Sequence, residues 1–232
     1  MSLIVLKDVV KEYRKGDGKE SVKVTALRGI NLEIEKGEFL AVMGPSGSGK
    51  TTLLNIIGCL DVPTSGEVIF NGVTLTKADE NFLSEYRKKN IGFIFQSYNL
   101  IPVLTVKENI ELPLTIDNTL PQEEREKRVM KLIEMVGLKG MENRFPREIS
   151  GGQEQRVAIA RALVKKPLFV LADEPTANLD SSTAEEIIEI MRRMNEVEGT
   201  TFIFSTHDPR VERHARRVIL LKDGQIVSDE RR

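Results

Sequence analysis

Apolar and polar positions alternate along the first part of the chain. Residues 3–13, LIVLKDVVKEY, and 30–43, INLEIEKGEFLAVM, change character every residue or two around a Lys36-Gly37 turn. Successive side chains of a strand point to opposite faces, so this period marks strands with one buried face. Residues 66–75, GEVIFNGVTL, place Asn71-Gly72 between apolar runs, and 218–227, VILLKDGQIV, repeat the device with Asp223-Gly224. Such pairs supply the left-handed residues that tight hairpins need. The pattern predicts antiparallel hairpins drawn from both ends of the chain.

A second pattern lies between them. FLAVM (39–43), IGFIF (91–95), LFVLA (168–172) and TFIFS (201–205) are nearly continuous apolar runs. Strands covered on both faces read this way, as in a parallel sheet. Helical periodicity follows three of them, at 50–60, at 182–197 and, after a loop, at 121–136. The alternation predicts an α/β fold whose ligands sit at the carboxyl ends of the strands. The middle section, 97–166, has no strand signal and reads as helices separated by breaks at Pro113, Pro121, Gly137 and Pro146. The expected organisation is one domain over 1–232. Residues 1–96 and 167–232 make the α/β core with its antiparallel part, and 97–166 form an inserted helical lobe.

Composition narrows the function. The 232 residues suffice for a large core, and 40% hydrophobic with 30% charged residues is ordinary for a soluble globular protein. A net charge of −1 provides no basic field for a nucleic acid. There is no apolar run of membrane-spanning length and no leader pattern, which points away from a spanning or exported chain. The single cysteine, Cys59, excludes an internal disulfide, suits a reducing cytoplasmic setting and reads as a small buried apolar residue.

The sharpest chemistry is GPSGSGKTT, comprising Gly44, Pro45, Ser46, Gly47, Ser48, Gly49, Lys50, Thr51 and Thr52. It follows an apolar strand and opens a helix, which is the context a phosphate-cradling loop requires. Its glycines let backbone amides turn toward phosphate oxygens, and the helix N-terminus adds positive potential. Lys50 is expected on the β- and γ-phosphates of a nucleoside triphosphate, and the Thr51 hydroxyl on Mg²⁺. Asp173, at the end of LFVLAD, is expected to hold the same ion. Glu174 points the opposite way if the backbone stays extended, which makes it the candidate general base. Gln96 and His207 follow two further strands and are expected to touch the ion, the water or the γ-phosphate. Tyr13, beyond the first strand, is a candidate to stack on the base.

A second stretch, REISGGQEQRVAIARALVKK (147–166), also carries the makings of an anion site. Ser150 is a good N-cap, while Gly151, Gly152 and Gln153 open a helix with Val157, Ala160 and Val164 on one apolar face. No lysine, metal ligand or base accompanies it.

The motifs GPSGSGKTT, Gln96, ISGGQ (149–153), VLADEP (171–175 with Val170), ANLD (177–180) and STHD (205–208) occur in the order found in ATP-binding subunits of ABC transporters. The resemblance covers essentially the whole chain. It implies an Mg²⁺-dependent ATPase that sandwiches two ATP in a head-to-tail homodimer and works on an integral membrane permease, from the cytoplasmic face. On that resemblance Ser150, Gly151, Gly152 and Gln153 touch the γ-phosphate held by the partner's P-loop, and Asp180 sits at the same interface. It also implies that Tyr13 stacks on adenine, Gln96 links nucleotide to permease and His207 holds the γ-phosphate. Ile149 replaces the usual leucine, and Glu154 stands where glutamine is common. LLNIIGCLDVPTSGEV (53–68) and GFIFQSYNLIPVLTVKENIELPL (92–114) resemble the lipoprotein-release and macrolide-export ATPases, with the cell-division ATPase a near relative. The apolar loop 97–106 is expected to meet the permease. A soluble ABC module of repair or chromosome type would carry a long coiled coil, which is missing here, and a P-loop kinase leaves ISGGQ without a purpose.

Overall fold

The computed structural model describes residues 2–15, 22–76, 78–117 and 120–232. The chain opens with two long strands, β1 (Ser2–Lys15) and β2 (Val22–Glu35), paired antiparallel. Next come β3 (Phe39–Met43), α1 (Lys50–Ile57), the short hairpin β4 (Ser65–Phe70) and β5 (Val73–Thr74), α2 (Glu80–Asn90) and β6 (Ile91–Ile94). The middle section is α3 (Val106–Asp117), α4 (Gln122–Met135), one 3₁₀ turn and α5 (Gly151–Leu163). The chain then continues through β7 (Phe169–Asp173), α6 (Ser181–Glu198), β8 (Thr201–Ser205), α7 (Pro209–His214) and the hairpin β9 (Arg217–Lys222) and β10 (Gln225–Arg231).

Two sheets result. The antiparallel one has the order β2-β1-β4-β5, and the mainly parallel one β10-β9-β3-β8-β7-β6. The C-terminal hairpin therefore extends the parallel sheet, with β9 parallel to β3, instead of joining the antiparallel sheet at the other end of the chain. The Lys36-Gly37 turn likewise passes the chain from one sheet to the other, since β2 pairs with β1 and β3 with β8 and β9.

The apolar runs do have two covered faces. Phe39, Ala41, Val170, Ala172, Phe202 and Phe204 pack in one cluster with Val157, Ile159 and Ile187 of α5 and α6. Their neighbours Leu40, Val42, Phe169, Leu171 and Ile203 pack in another with Leu53 and Ile57 of α1 and the inner face of the antiparallel sheet. Alternation across each strand thus feeds two cores, which is why no polar residue interrupts it. Cys59 lies in the second core, and its burial pushes the thiol up to about 12 against the opposing pull of Arg87.

Two elements depart from the sequence reading. Pro113 sits inside α3 instead of ending it. Proline removes one helical hydrogen bond, but Ile110 and Leu114 on either side are buried and hold the turn in place. The helix α2 has no counterpart in the sequence reading; its start is fixed by Asp79, whose carboxylate accepts from the Phe82 amide.

Candidate functional site

The parallel strands end at one edge, and their C-terminal residues line a single cleft of about 780 Å³. The register sets Asp173 beside Ser205, with β8 lying between the strand that leads to GPSGSGKTT and the strand that leads to Asp173. Gly44, Pro45, Ser46, Gly47, Gly49, Lys50, Thr51, Thr52, Gln96, Asp173, Glu174 and His207 all line it, and Ser48 is buried beneath. Residues up to 163 positions apart in the sequence are brought together by strand order alone.

The loop itself tolerates no side chain at its hinge points. A Cβ on Gly44, at φ +150°, would stand 2.1 Å from the Leu221 carbonyl oxygen, and one on Gly49, at φ +106°, 2.7 Å from that of Ala26. Lys50 Nζ donates to the Gly44 and Pro45 carbonyls at 2.7 and 3.0 Å, which holds its ammonium over the loop. The helix N-terminus is left bare: α1 has Gly49 at the N-cap, no side-chain acceptor and no acid in its first turn. In contrast, α2, α5, α6 and α7 take an acceptor side chain there, from Asp79, Ser150, Asp180 and Asp208. Uncapped amides with positive potential make α1 an open anion site.

Glu174 is the principal correction to the sequence reading. Its φ is +47°, so the backbone leaves the extended form directly after β7. Asp173 and Glu174 therefore face the same cleft, and strand alternation does not separate their roles. Left-handed backbone is unfavourable for a residue with a side chain. Here it is fixed by the Glu174 amide donating to the Ser205 carbonyl at 2.8 Å. The carboxylate meets His207 Nδ1 at 2.7 Å through Oε1, and the Thr206 hydroxyl at 2.9 Å through Oε2. Burial pushes the Asp173 carboxyl up and Glu174 adds to this, against the Ser205 hydroxyl and Lys50.

Tyr13 stands outside this cleft but beside it. It is the cross-strand partner of Val24, which lines the cleft and is 49% exposed. Its hydroxyl donates to Asp61 at 2.8 Å, and Lys11 Nζ covers one face of the ring 5.0 Å from the centroid. Burial and the Asp61 carboxylate raise its pKa.

The ISGGQ stretch does not line the cleft at all. Ser150 and Gln153 cap α5 reciprocally: the Ser150 amide donates to Gln153 Oε1 at 2.9 Å, and the Gln153 amide to Ser150 Oγ at 3.4 Å. Gly152 has an internal reason to lack a side chain, because its Cβ would stand 2.4 Å from Thr183 Cγ2. Asp180 is the N-cap of α6, accepting from the amides and hydroxyls of Ser182 and Thr183, which hold its carboxyl far below the usual range.

Several residues at the site were not assigned a role from sequence. Asn178 Nδ2 donates to the Gln96 carbonyl at 3.0 Å. Gln155, fully buried, donates to the Pro175 carbonyl at 2.6 Å and ties α5 to the loop after Glu174. Its signal was available: with Ala158, Ile159 and Ala162 it makes an otherwise apolar helix stripe. Asp208 accepts from Thr176 and Arg210, and these bonds outweigh burial and lower its pKa. An aspartate before Pro209 announces an N-cap.

Residues 27–177 match the family model for the ABC transporter. An uncharacterized ABC transporter ATP-binding protein of Methanocaldococcus jannaschii, MJ0796, is 47% identical over 232 residues, 99% of this chain and 97% of its own. This chain belongs to the ABC transporter family. The fold of this ABC ATPase matches the MJ0796 cassette, solved as a dimer in a post-hydrolysis state bound to ADP and Pi, with TM-score 0.87 and 46% identity over 98% of each chain. Its reaction is the hydrolysis of ATP. A further relative is the macrolide export ATP-binding/permease protein MacB of Syntrophobacter fumaroxidans, 45% identical over 227 residues, 97% of this chain and 31% of that protein. CbiO1 of Clostridium perfringens, part of the complex cbiONQ, superposes with TM-score 0.88 at 29% identity over 99% of this chain and 88% of its own.

Proposed function

We propose that this ABC ATPase binds ATP and Mg²⁺ between two copies of itself, arranged head to tail, and uses their closing and opening to move a membrane permease. One observation carries the head-to-tail reading. The glycine-led end of α5 lies off the cleft that its own chain builds, with Ser150 exposed, so it can serve a nucleotide only on another copy. The dimeric structure of MJ0796, almost half identical to this chain, supports it.

Within the cleft Lys50 reaches the β- and γ-phosphates, and at its margin Tyr13, just outside, flanks the adenine together with Val24. Thr51, Gln96 and Asp173 offer hydroxyl, amide and carboxylate oxygens, the hard donors that Mg²⁺ takes. Phosphate oxygens and water would supply the remaining ligands of a bound ion. The ion would neutralise charge developing on the phosphates. Glu174 accepts the proton of the attacking water as its oxygen bonds to the γ-phosphorus and the bond to ADP breaks, and His207 holds the γ-phosphate. Across the interface, Ser150, Gly151, Gly152 and Gln153 donate to that phosphate, with Asp180 alongside. Closing is driven by those contacts because ATP, unlike ADP, supplies them, and a ligand shifts two states only by its differential affinity.

The permease meets the exposed tip of the loop after Gln96, at Val103, together with a concavity of about 450 Å³ lined by Leu60, Phe93, Phe95, Leu112, Pro113 and Ile116. No helix among the described residues is long and apolar enough to cross a membrane. Attachment at the cytoplasmic face runs through this surface. The helical segment 97–166 moves as a lever between it and the nucleotide. The likeness to MacB supports a permease of the macrolide-export type.

Mixing two defective chains tests the arrangement. Lys50→Ala spoils the P-loop and Ser150→Arg the trans contact, so each alone is inactive. In a head-to-tail dimer, random mixing gives heterodimers with one intact site, restoring about a quarter of the parent ATPase rate. Activity equal to the sum of the two separate samples would refute the trans assignment.

A further inference from the structure

The carboxylate of Glu174 has two oxygens in different circumstances. Oε2 accepts from the Thr206 hydroxyl at 2.9 Å, and Oε1 meets His207 Nδ1 at 2.7 Å. Thr206 is fully buried, whereas the His207 side chain is 76% exposed. The first partner is fixed by packing and the second is free to turn.

The direction of the Thr206 bond follows from its surroundings. Thr206 Oγ1 accepts from the Asp208 amide at 3.0 Å. That leaves its one hydrogen for the carboxylate, which offers only acceptors. Behind it, Asp208 is itself immobilised by the Thr176 hydroxyl at 2.5 Å and by the Arg210 guanidinium and amide, all within 3.1 Å. Thr176, Thr206 and Asp208 are all buried. With the Glu174 backbone held in its left-handed form by Ser205, this network fixes both ends of the residue.

We propose that Thr206 is a positioning residue that pins Oε2 of Glu174, so that the carboxylate works with Oε1 alone. Oε1 becomes available to the attacking water as His207 turns from it to the γ-phosphate. Two events are thereby joined: the histidine that grips the phosphate is the one that uncovers the base. This rests on Glu174 being the general base. A base held within a few tenths of an ångström of its working geometry is worth orders of magnitude in rate, and a carboxylate free to rotate loses part of that.

The test compares Thr206→Val, which keeps shape and loses the hydroxyl, with Thr206→Ser, which keeps the hydroxyl, in steady-state ATP hydrolysis. Thr206→Val is expected to lower kcat about tenfold with KM for ATP within about twofold of the parent, and Thr206→Ser to restore most of the rate. If Thr206→Val does not fold, Thr206→Cys, a similar volume with a weak donor, is measured instead and must show the same fall in kcat at unchanged KM. Equal loss in the Ser and Val variants, or a Val variant with parental kcat, overturns the proposal. Glu174→Gln separates the two readings: if it turns over ATP at the parental rate, the assignment of the base fails, and not the anchoring by Thr206.

Discussion

Single residues at this site serve packing and chemistry at once, and Gly152 shows how the two can be told apart. It belongs to the stretch that is proposed to meet a partner's phosphate, yet Thr183 of its own chain already fills the space a Cβ would need. Gly152→Ala therefore forces Thr183 Cγ2 aside before any partner arrives. Overpacking of this kind costs about 2 kcal/mol, which for a chain of this length lowers Tm by roughly 4–8 °C. Thr183→Ser removes the offending methyl, so Tm of the double variant should return most of the way, and thermal unfolding of the three variants measures it. An unchanged Tm for Gly152→Ala would leave the trans phosphate as the only reason for a glycine there. The same duality holds at Asp180, whose carboxylate is committed to capping α6 whatever it meets across an interface.

At the scale of elements, the loop 97–105 shows why an apolar stretch cannot be assigned to a partner from sequence alone. Leu100 packs against the first core, and Val106 is buried. The buried Asn109 side chain stitches the turn, accepting from the Ile101 amide at 2.8 Å and donating to the carbonyls of Ile101, Leu104 and Thr105. Arg161 donates to the carbonyls of Tyr98 and Asn99, both at 2.6 Å, where both residues have positive φ. What remains for a partner is the tip, with Val103 78% exposed. Val103→Glu should leave Tm within about 1 °C, because it touches no packed surface, and should abolish co-purification with the permease. Leu100→Glu should lower Tm by several degrees, since it puts a charge against a core. Permease binding that survives Val103→Glu would place the contact elsewhere.

The elements also divide into those the sequence discloses and those it hides. The four apolar runs are strands as read, because double-sided burial leaves an unambiguous pattern. The P-loop, Gln96, Asp173 and His207 meet because parallel strands align their carboxyl ends. The helix α2 escaped the reading because it buries only Leu83 and so lacks a long apolar stripe, although Asp79 and the basic run Arg87, Lys88 and Lys89 mark its two ends. Glu174 misled for a different reason. Its left-handed turn is imposed by a bond to Ser205, 31 positions later, and no local pattern carries that information.

At the scale of the molecule, the chain presents two helix N-termini of opposite kind. The one at Gly49 is uncapped and faces the cleft that Gln96, Asp173, Glu174 and His207 also line. The one at Ser150 is capped by its own residues and faces away. Each chain thus holds one cleft and one helix end that this cleft does not use, and in the proposed head-to-tail dimer that end meets the cleft of the other chain. Slowing hydrolysis isolates this claim, because the ATP-bound form then persists. The decisive measurement is the solution mass of the Glu174→Gln variant by light scattering, with Mg²⁺, in the presence and absence of ATP. The expected mass is the 26.1 kDa of one chain without ATP and twice that with it, with no doubling when Ser150→Arg is added. A Glu174→Gln chain that binds ATP and keeps the mass of a monomer would contradict it.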